Sequence, residues 1–565
     1  MKSHLDQLRE QYQCLGPVDL DPWLTLPNWQ RWDWLQATMA QVKQPEYTPG
    51  QRVIFTYTVG DVYENPQARA GLFVQDFQRA LNAVDISNYF VVLITNDADH
   101  MPAACAWVQA HVSRDPVPFT HIAAGAEHPE KRLADHWGSQ HSYNNTAPLK
   151  ISADQLTEQQ QQLLTQSQSF CMYPWTHIHA YPTGEAHLCC QTDMRHSIGS
   201  LREHTLHDLW NSAGMRDARS KMLNNEPVSA CQRCYEQEAA GFFSGRQSAN
   251  KHHGHHIGRV AATKPDGHLD QFELTYWDIR FSNLCNLSCR SCGHIFSSSW
   301  YQDQRAIAGA DWAARNPVLN YAGRFETDAW DQLVEHMPYV EQIYFAGGEP
   351  LMMAEHYRIL EELERQGRFD VRLVYNTNFT HVRLKDRWVF DYWKRFDSVS
   401  VGASLDAAGP RGEYIRNGTV WDTVERNRAH MLEICPRVDF YISPTLSIMN
   451  AWHLPAFHRD WTQRGFIRAQ DLNINILQDP PCYRIDAAPI KYKQRLRVLW
   501  EEHLEWLRPQ DSLGRATQGW QSAQEFMMAT DNTAWLPEFW RRTQQLDQLR
   551  RQSWQDSLPE LEALL

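Results

Sequence analysis

The sequence predicts an α/β protein built around a parallel sheet, open or curved into a partial barrel, with smaller units before it and a helical region after it. Three observations predict this. Between Trp277 and about Leu477, six strand-like runs ("WDIRFSN", "EQIYFAG", "DVRLVYNTN", "SVSVGASLD", "DFYISPTLS" and "LNINILQ") alternate with helical segments, the order of repeated βα units that gives parallel strands. In one intervening segment Met353, Tyr357 and Leu360 recur at i, i+4 and i+7, a helical period. Cys285, Cys289 and Cys292 directly follow the first strand-like run, at the carboxyl end of a strand, where parallel α/β folds place their sites.

The elements follow in order along the chain's 565 residues, and a prior of about 150 residues per domain suggests three or four units. Residues 1–150 form an N-terminal α/β unit of unassigned role: strand-like "RVIFTYTV", "YFVVLITND" and "PFTHIAA" alternate with helical runs, and there is no Gly-rich phosphate loop. Asp97 and Asp99 read as a solvated loop rather than a cation site. Residues 165–250 carry Cys171, Cys189, Cys190, Cys231 and Cys234, and "NKHHGHHIGRV" beyond them, with His252, His253, His255 and His256, reads as a mobile polar linker. Residues 270–485 are the sheet unit. Residues 486–565, rich in Trp, Gln, Arg and Leu, read as helical without a chemical motif.

Composition narrows the classes. Charged residues make up 21% and apolar ones 42%, and no apolar run reaches the roughly 18 to 20 residues needed to cross a bilayer, so no membrane partner is expected. A net charge of -13 gives no basic footprint for nucleic acid. The start of the chain has no apolar h-region, so the cytoplasm is the expected compartment. There the twelve cysteines stay reduced, and clustered ones read as metal ligands. Cys14, Cys105, Cys435 and Cys482 stand alone and read as ordinary residues. The 23 tryptophans are scattered through helical patterns and read as packing residues.

Four thiolates would close a zinc site or fill an iron-sulfur cluster. Three within "DIRFSNLCNLSCRSCG" leave one metal position without a protein ligand. The spacing C-x3-C-x2-C, followed by "YFAGGEP" after the second strand-like run and "ASLDAAGPRGEYIRNG" after the fourth, resembles the radical S-adenosylmethionine (SAM) superfamily over about 200 residues. The resemblance implies a partial (β/α)6 barrel and a [4Fe-4S] cluster on Cys285, Cys289 and Cys292, whose free iron binds the amino and carboxylate groups of SAM and which cleaves SAM to a 5′-deoxyadenosyl radical. It implies that Gly347, Gly348, Glu349 and Pro350 bind the methionine amino group, that Ser404 and Asp406 meet hydroxyls, and that Arg416 meets the carboxylate. Asn378 and Asn475 are minor contacts on the same rim. The family's bulky residue before the third cysteine, which touches the adenine, is here replaced by Ser291.

In the second cysteine group, twelve residues separate Cys171 from Gly184 and four more lead to Cys189, with C-x2-C at Cys231 and Cys234. This resembles the opening of the SPASM and twitch domains, placed here before the SAM domain. The resemblance implies an auxiliary [4Fe-4S] cluster on Cys171, Cys189, Cys231 and Cys234; a four-cysteine zinc ribbon is the alternative. If "EAHLCCQ" is a strand, the spacing puts Cys189 and His187 on the cluster face and turns Leu188 and Cys190 toward the packing. The function implied is a radical SAM enzyme acting on a peptide or protein, with flavodoxin or ferredoxin as reductant; its catalytic residues stay unassigned. A radical SAM enzyme for a nucleotide or sugar, and a non-catalytic metal scaffold, are the alternatives.

Overall fold

The computed structural model describes residues 151, 155–239, 243–322, 329–511 and 514–564, with the backbone of three earlier strands. Cys14, Asp97, Asp99, Cys105 and the helical runs expected between residues 68 and 114 lie outside the described residues. The chain divides into two compact units, residues 1–137 with 528–534, and residues 138–527 with 535–565. In the first, β1 (Arg52–Thr58), β2 (Tyr89–Thr95) and β3 (His121–Ile122) lie in sequence order, and both pairs are parallel. Parallel neighbours need a crossover of a dozen or more residues, and residues 59–88 and 96–120 supply that length.

The second unit is organised by one eight-stranded sheet, in the order β13-β12-β9-β8-β7-β4-β5-β6. In chain order these are β4 (His177–Ala180), β5 (Glu185–His187), β6 (Gly199–Ser200), β7 (Tyr276–Ile279), β8 (Gln342–Phe345), β9 (Arg372–Thr377), β12 (Val399–Ala403) and β13 (Asp439–Ile442). A small antiparallel pair, β10 (Arg383–Leu384) and β11 (Arg387–Trp388), stands apart. Five of the six expected strands pair in parallel in this sheet. The sixth does not join it: β15 (Asn475–Ile476) pairs with β14 (Thr445–Leu446) in a separate two-stranded sheet. The other edge is supplied from the cysteine-bearing region, whose β4 runs parallel to β7 with His179 beside Asp278 and continues antiparallel into β5 and β6.

Alternation along the strands explains the two faces of this sheet. Trp277, Ile279, Ile343, Phe345, Leu373, Tyr375, Val401 and Ile442 are buried on the face that helices cover. The helix Ala354–Arg365 begins one residue after Met353 and buries Tyr357 and Leu360 completely. Burying a side chain of this size contributes about 1.5–3 kcal/mol, so packing holds the helix on the sheet. The opposite face carries His177, His179, Tyr276, Asp278, Gln342, Tyr344, Arg372, Asn376, Ser400 and Tyr441, a polar surface that the alternation in "YWDIR" and "RLVYNT" already encodes.

The histidine tract is not a mobile linker. It lies on the helix Gly245–His253 and the 3-10 turn Gly254–Ala262. The helix starts at a capping box: Ser244 Oγ accepts from Gln247 N at 3.1 Å, and Gln247 Oε1 accepts from Ser244 N at 3.0 Å. The S-x-x-Q pattern of "SGRQ" is the local signal for that start. The carboxyl-terminal region is helical over Ile490–Leu507, Arg515–Ala529, Leu536–Arg550 and Trp554–Ser557. Trp175, Trp210, Trp277, Trp300, Trp393, Trp461, Trp500 and Trp520 are fully buried, as packing residues are. Cys435 and Cys482 are likewise buried. Among the described residues no helix is long and apolar enough to cross a membrane.

Candidate metal centres

The loop after β7 brings Cys285, Cys289 and Cys292 together, and backbone bonds shape it. Ser288 N donates to Asn417 O and Arg290 N to Ile415 O, both at 2.9 Å. Trp300 Nε1 donates to the Cys289 carbonyl at 2.8 Å, and Ser297 Oγ to the Leu287 carbonyl at 2.6 Å. Burial pushes all three thiols up, Cys292 to about 12, and the sulfur of Cys289 adds to the rise at both Cys285 and Cys292. Burial keeps these thiols neutral unless a cation is bound among them, and the donor set fits iron held by sulfur.

The "GGEP" turn after β8 is locked to this loop. Gly348 N donates to Ser282 O at 3.1 Å and Glu349 N to Leu284 O at 2.7 Å. A Cβ at position 348 would stand 2.2 Å from the Leu284 carbonyl oxygen, and Gly347 has φ +124°; only glycine fits at either place. The Glu349 side chain turns inward. Its Oε1 accepts from Thr377 Oγ1 at 2.6 Å and Leu351 N at 3.1 Å, and its Oε2 from Asn378 N at 2.7 Å. It is 1% exposed, and burial pushes it up to about 7 although the three donors favour the anion. The carboxylate therefore ties the turn to the end of β9, and most of its accepting capacity is occupied by the protein itself.

Changing Glu349 to Gln puts an amide NH2 where one buried donor needs an acceptor, an expected loss of about 1–3 kcal/mol. Denaturant unfolding without added SAM checks this; equal midpoints for Glu349→Gln and the unaltered chain would refute the inward role.

Asp406 and Arg416 are a pair, not two separate contacts. Arg416 Nε and Nη2 grip the Asp406 carboxylate at 2.8 and 3.0 Å, and Thr445 N also donates to it at 2.7 Å. Asp406 is 1% exposed, so it orients Arg416 and is not turned to outside hydroxyls. Arg416 is no surface ion pair, because its Nη1 reaches Cys289 Sγ at 3.6 Å. Ser404 is half-buried, its N donating to Thr377 O at 2.7 Å. Asn378 Nδ2 lies 3.8 Å from Cys285 Sγ, whereas Asn475 Nδ2 donates to Ser443 Oγ at 2.8 Å. Ser291 is half-buried between the second and third cysteines.

Sequence reasoning missed Arg290, which stands between Cys289 and Cys292 and is 0% exposed. It stacks on Tyr414 at 3.7 Å and donates to Asp547, Gln552 and the Thr543 carbonyl. The last long helix, without a motif of its own, therefore braces the cysteine loop. Also missed was the buried group formed by His179 Nδ1 and Asp278 at 2.9 Å, with Arg280 Nε on the other carboxylate oxygen at 3.3 Å. Burial lowers His179, against the pull of Asp278. Burial alone would raise Asp278, but His179 and Arg280 hold it well below the usual carboxylate range.

A second cavity is lined by Cys171, Cys189, Cys231 and Cys234, together with Gln191, Thr192, Arg233 and Arg246. Cys171 precedes the 3-10 turn Tyr173–Trp175, Cys189 follows β5, Cys231 ends a 3-10 turn, and Cys234 lies in the first turn of the helix Gln232–Ala239. Arg246 pairs with Glu238 and donates to the carbonyls of Ser167 and Phe170 at 2.8 Å each, anchoring the segment before Cys171. Burial pushes the four thiols up, Cys234 to about 12, and this set too fits a cationic metal group.

The strand expected over "EAHLCCQ" stops at His187, so opposite strand faces do not separate Cys189 from Cys190. The chain bends after β5, and Cys190 is half-buried, its thiol raised by burial with Asp278 as the next largest influence. His187 sits against Tyr181, centroids 5.2 Å apart, with Nδ1 at 3.1 Å from the His196 carbonyl, rather than on a cluster face.

Residues 171–235 match SPASM, an iron-sulfur cluster-binding domain. Among solved structures, native anSMEcpe with bound AdoMet and Cp18Cys peptide is 19% identical, over 41% of this chain and 60% of that one, with a TM-score of 0.29. Hexahistidine-tagged anSMEcpe with bound AdoMet is 20% identical, over 42% and 60%, with a TM-score of 0.30. TYW1 with a lysine-pyruvate adduct bound is 13% identical, over 40% and 71%, with a TM-score of 0.22. The aligned part thus spans 60% of the anSMEcpe chains. No curated protein matches the sequence. The SPASM match spans all four thiols that line the second cavity, so it is there that this chain resembles an iron-sulfur cluster-binding domain.

Proposed function

We propose that the protein is an enzyme that cleaves S-adenosylmethionine reductively and uses the resulting radical on a peptide or protein. Bound at Cys285, Cys289 and Cys292, a [4Fe-4S] cluster supplies the electron that splits SAM into methionine and a 5′-deoxyadenosyl radical. These three thiols would hold the cluster and leave one position of it without a protein ligand, open to SAM. Gly347, Gly348 and Pro350 present turn backbone to the ammonium, and Glu349 fixes that turn from within. Arg416, aimed by Asp406, receives the SAM carboxylate, and Ser404 receives a ribose hydroxyl. Cys171, Cys189, Cys231 and Cys234 hold an auxiliary [4Fe-4S] cluster, and flavodoxin or ferredoxin delivers the electrons.

The observation that carries this reading is the lock between the "GGEP" turn and the cysteine loop, 2.2 Å from a would-be Cβ to backbone oxygen, which makes the SAM-side residues one unit. A peptide substrate is supported by the SPASM resemblance over residues 171–235. Anaerobic protein with dithionite and SAM is expected to release 5′-deoxyadenosine, read by chromatography. Peptides encoded beside the gene are expected to change mass when expressed with the protein. A fully iron-loaded preparation that yields no 5′-deoxyadenosine would overturn the proposal.

A further inference from the structure

The geometry points to a third metal site, of the zinc class, formed by His255, His256 and Glu341 at the end of the sheet away from the cysteine loop. Glu341 immediately precedes β8, whereas the cysteine loop follows the carboxyl end of β7. The two histidines sit on the 3-10 turn Gly254–Ala262. His255 Nε2 lies 2.8 Å from Glu341 Oε2, and His256 Nε2 lies 2.9 Å from Glu341 Oε1. One ligand atom from each of the three residues falls within 4.8 Å of the others. The two imidazoles, centroids 4.0 Å apart, thus converge on one carboxylate.

The chemistry of the donors favours a cation over a plain ion pair. His256 Nε2 is buried and makes no hydrogen bond of good geometry, despite its 2.9 Å approach to the carboxylate. Two imidazolium ions with centroids only 4.0 Å apart would repel, whereas one cation held between the rings and the carboxylate satisfies all three. The nearby cations have partners of their own: Arg259 Nη2 is 2.6 Å from Glu273 and Arg368 Nε is 2.9 Å from Asp370. What remains is two imidazole nitrogens and a carboxylate oxygen converging on one point, a donor set that suits tetrahedral zinc with its fourth position open to water. The side chains are 26%, 12% and 35% exposed, so water can reach that position.

The same geometry sets the strength. His255 Nδ1 is buried without a hydrogen-bond partner, so the protein gives that ring no outer acceptor, a loss usually worth about 10–100-fold in affinity. The site is therefore an exchangeable staple, joining the turn that follows the SPASM domain to the sheet.

The test uses anaerobic protein with its clusters loaded, stripped by a mild chelator that leaves its iron content unchanged. Titration with Zn²⁺ is expected to bind one ion per chain and raise the melting midpoint. Co²⁺ in its place is expected to show ligand-field absorbance of a tetrahedral nitrogen and oxygen site, without a thiolate charge-transfer band. Glu341→Gln and His256→Ala should each weaken Zn²⁺ binding at least tenfold at unchanged iron content, with His255→Ala as the alternative should either fail to fold. Absence of Zn²⁺ binding by the unaltered protein, equal binding by the folded variants, or a thiolate signature with Co²⁺ would each overturn the site.

Discussion

Protein with Ala at Cys285, Cys289 and Cys292 is expected to release no 5′-deoxyadenosine from SAM and to hold about half of the roughly eight irons bound when both centres are filled. The two sets of thiols belong to different segments, the loop after β7 and the cavity between β5 and the helix Gln232–Ala239. Emptying one set leaves the ligands of the other in place. Iron and sulfide analysis, electron paramagnetic resonance and chromatography of the nucleoside product read the three consequences. Continued 5′-deoxyadenosine release would place the radical chemistry elsewhere. Zinc in place of iron in the remaining centre, without charge-transfer absorbance, would overturn the auxiliary cluster.

Asp547→Ala is expected to destabilise the protein by about 3–5 kcal/mol, the usual penalty for leaving a buried charge uncompensated. Arg290 is fully buried and its carboxylate partner is Asp547, which also accepts from Tyr414 Oη at 2.8 Å and Trp554 N at 3.0 Å. The contrast is the exposed pair Arg541–Glu538, 62% and 36% exposed, where removal changes stability by about 0–1 kcal/mol. Because Arg290 lies between Cys289 and Cys292, the proposed role of that loop predicts that the variant also loses iron there while the signal of the other centre persists. Asp547→Asn keeps the shape and should recover part of the loss. Denaturant midpoints and iron content give the outcome; an Asp547→Ala chain as stable as the unaltered one would show that Arg290 is held by its carbonyl partners and Tyr414 alone.

Short-range pattern made much of this protein legible. The two cysteine spacings, the "GGEP" turn and the strand-like runs are local features, and Cys171, Cys189, Cys231 and Cys234 line one cavity. Turn glycines are readable for the same reason, since the chain conformation that needs them lies within a few residues. The helix start at Ser244 was legible too, in its capping box, yet the histidines after it suggest a polar linker because composition carries no information about burial.

Tertiary structure decided what depends on residues far apart in sequence. That β4 pairs with β7, ninety-nine residues from His177 to Tyr276, follows from which sheet edge remains open, a choice that alternation within a strand does not encode. The inward turn of Glu349, the capture of Asp406 by Arg416 and the seating of Arg290 against Asp547, 257 positions away, follow from the rule that buried polar groups must find partners. Sequence identifies which residues can donate and accept, but only the packed chain brings a given donor within about 3 Å of a given acceptor, and that proximity separates a residue facing the substrate from one that holds the site in shape.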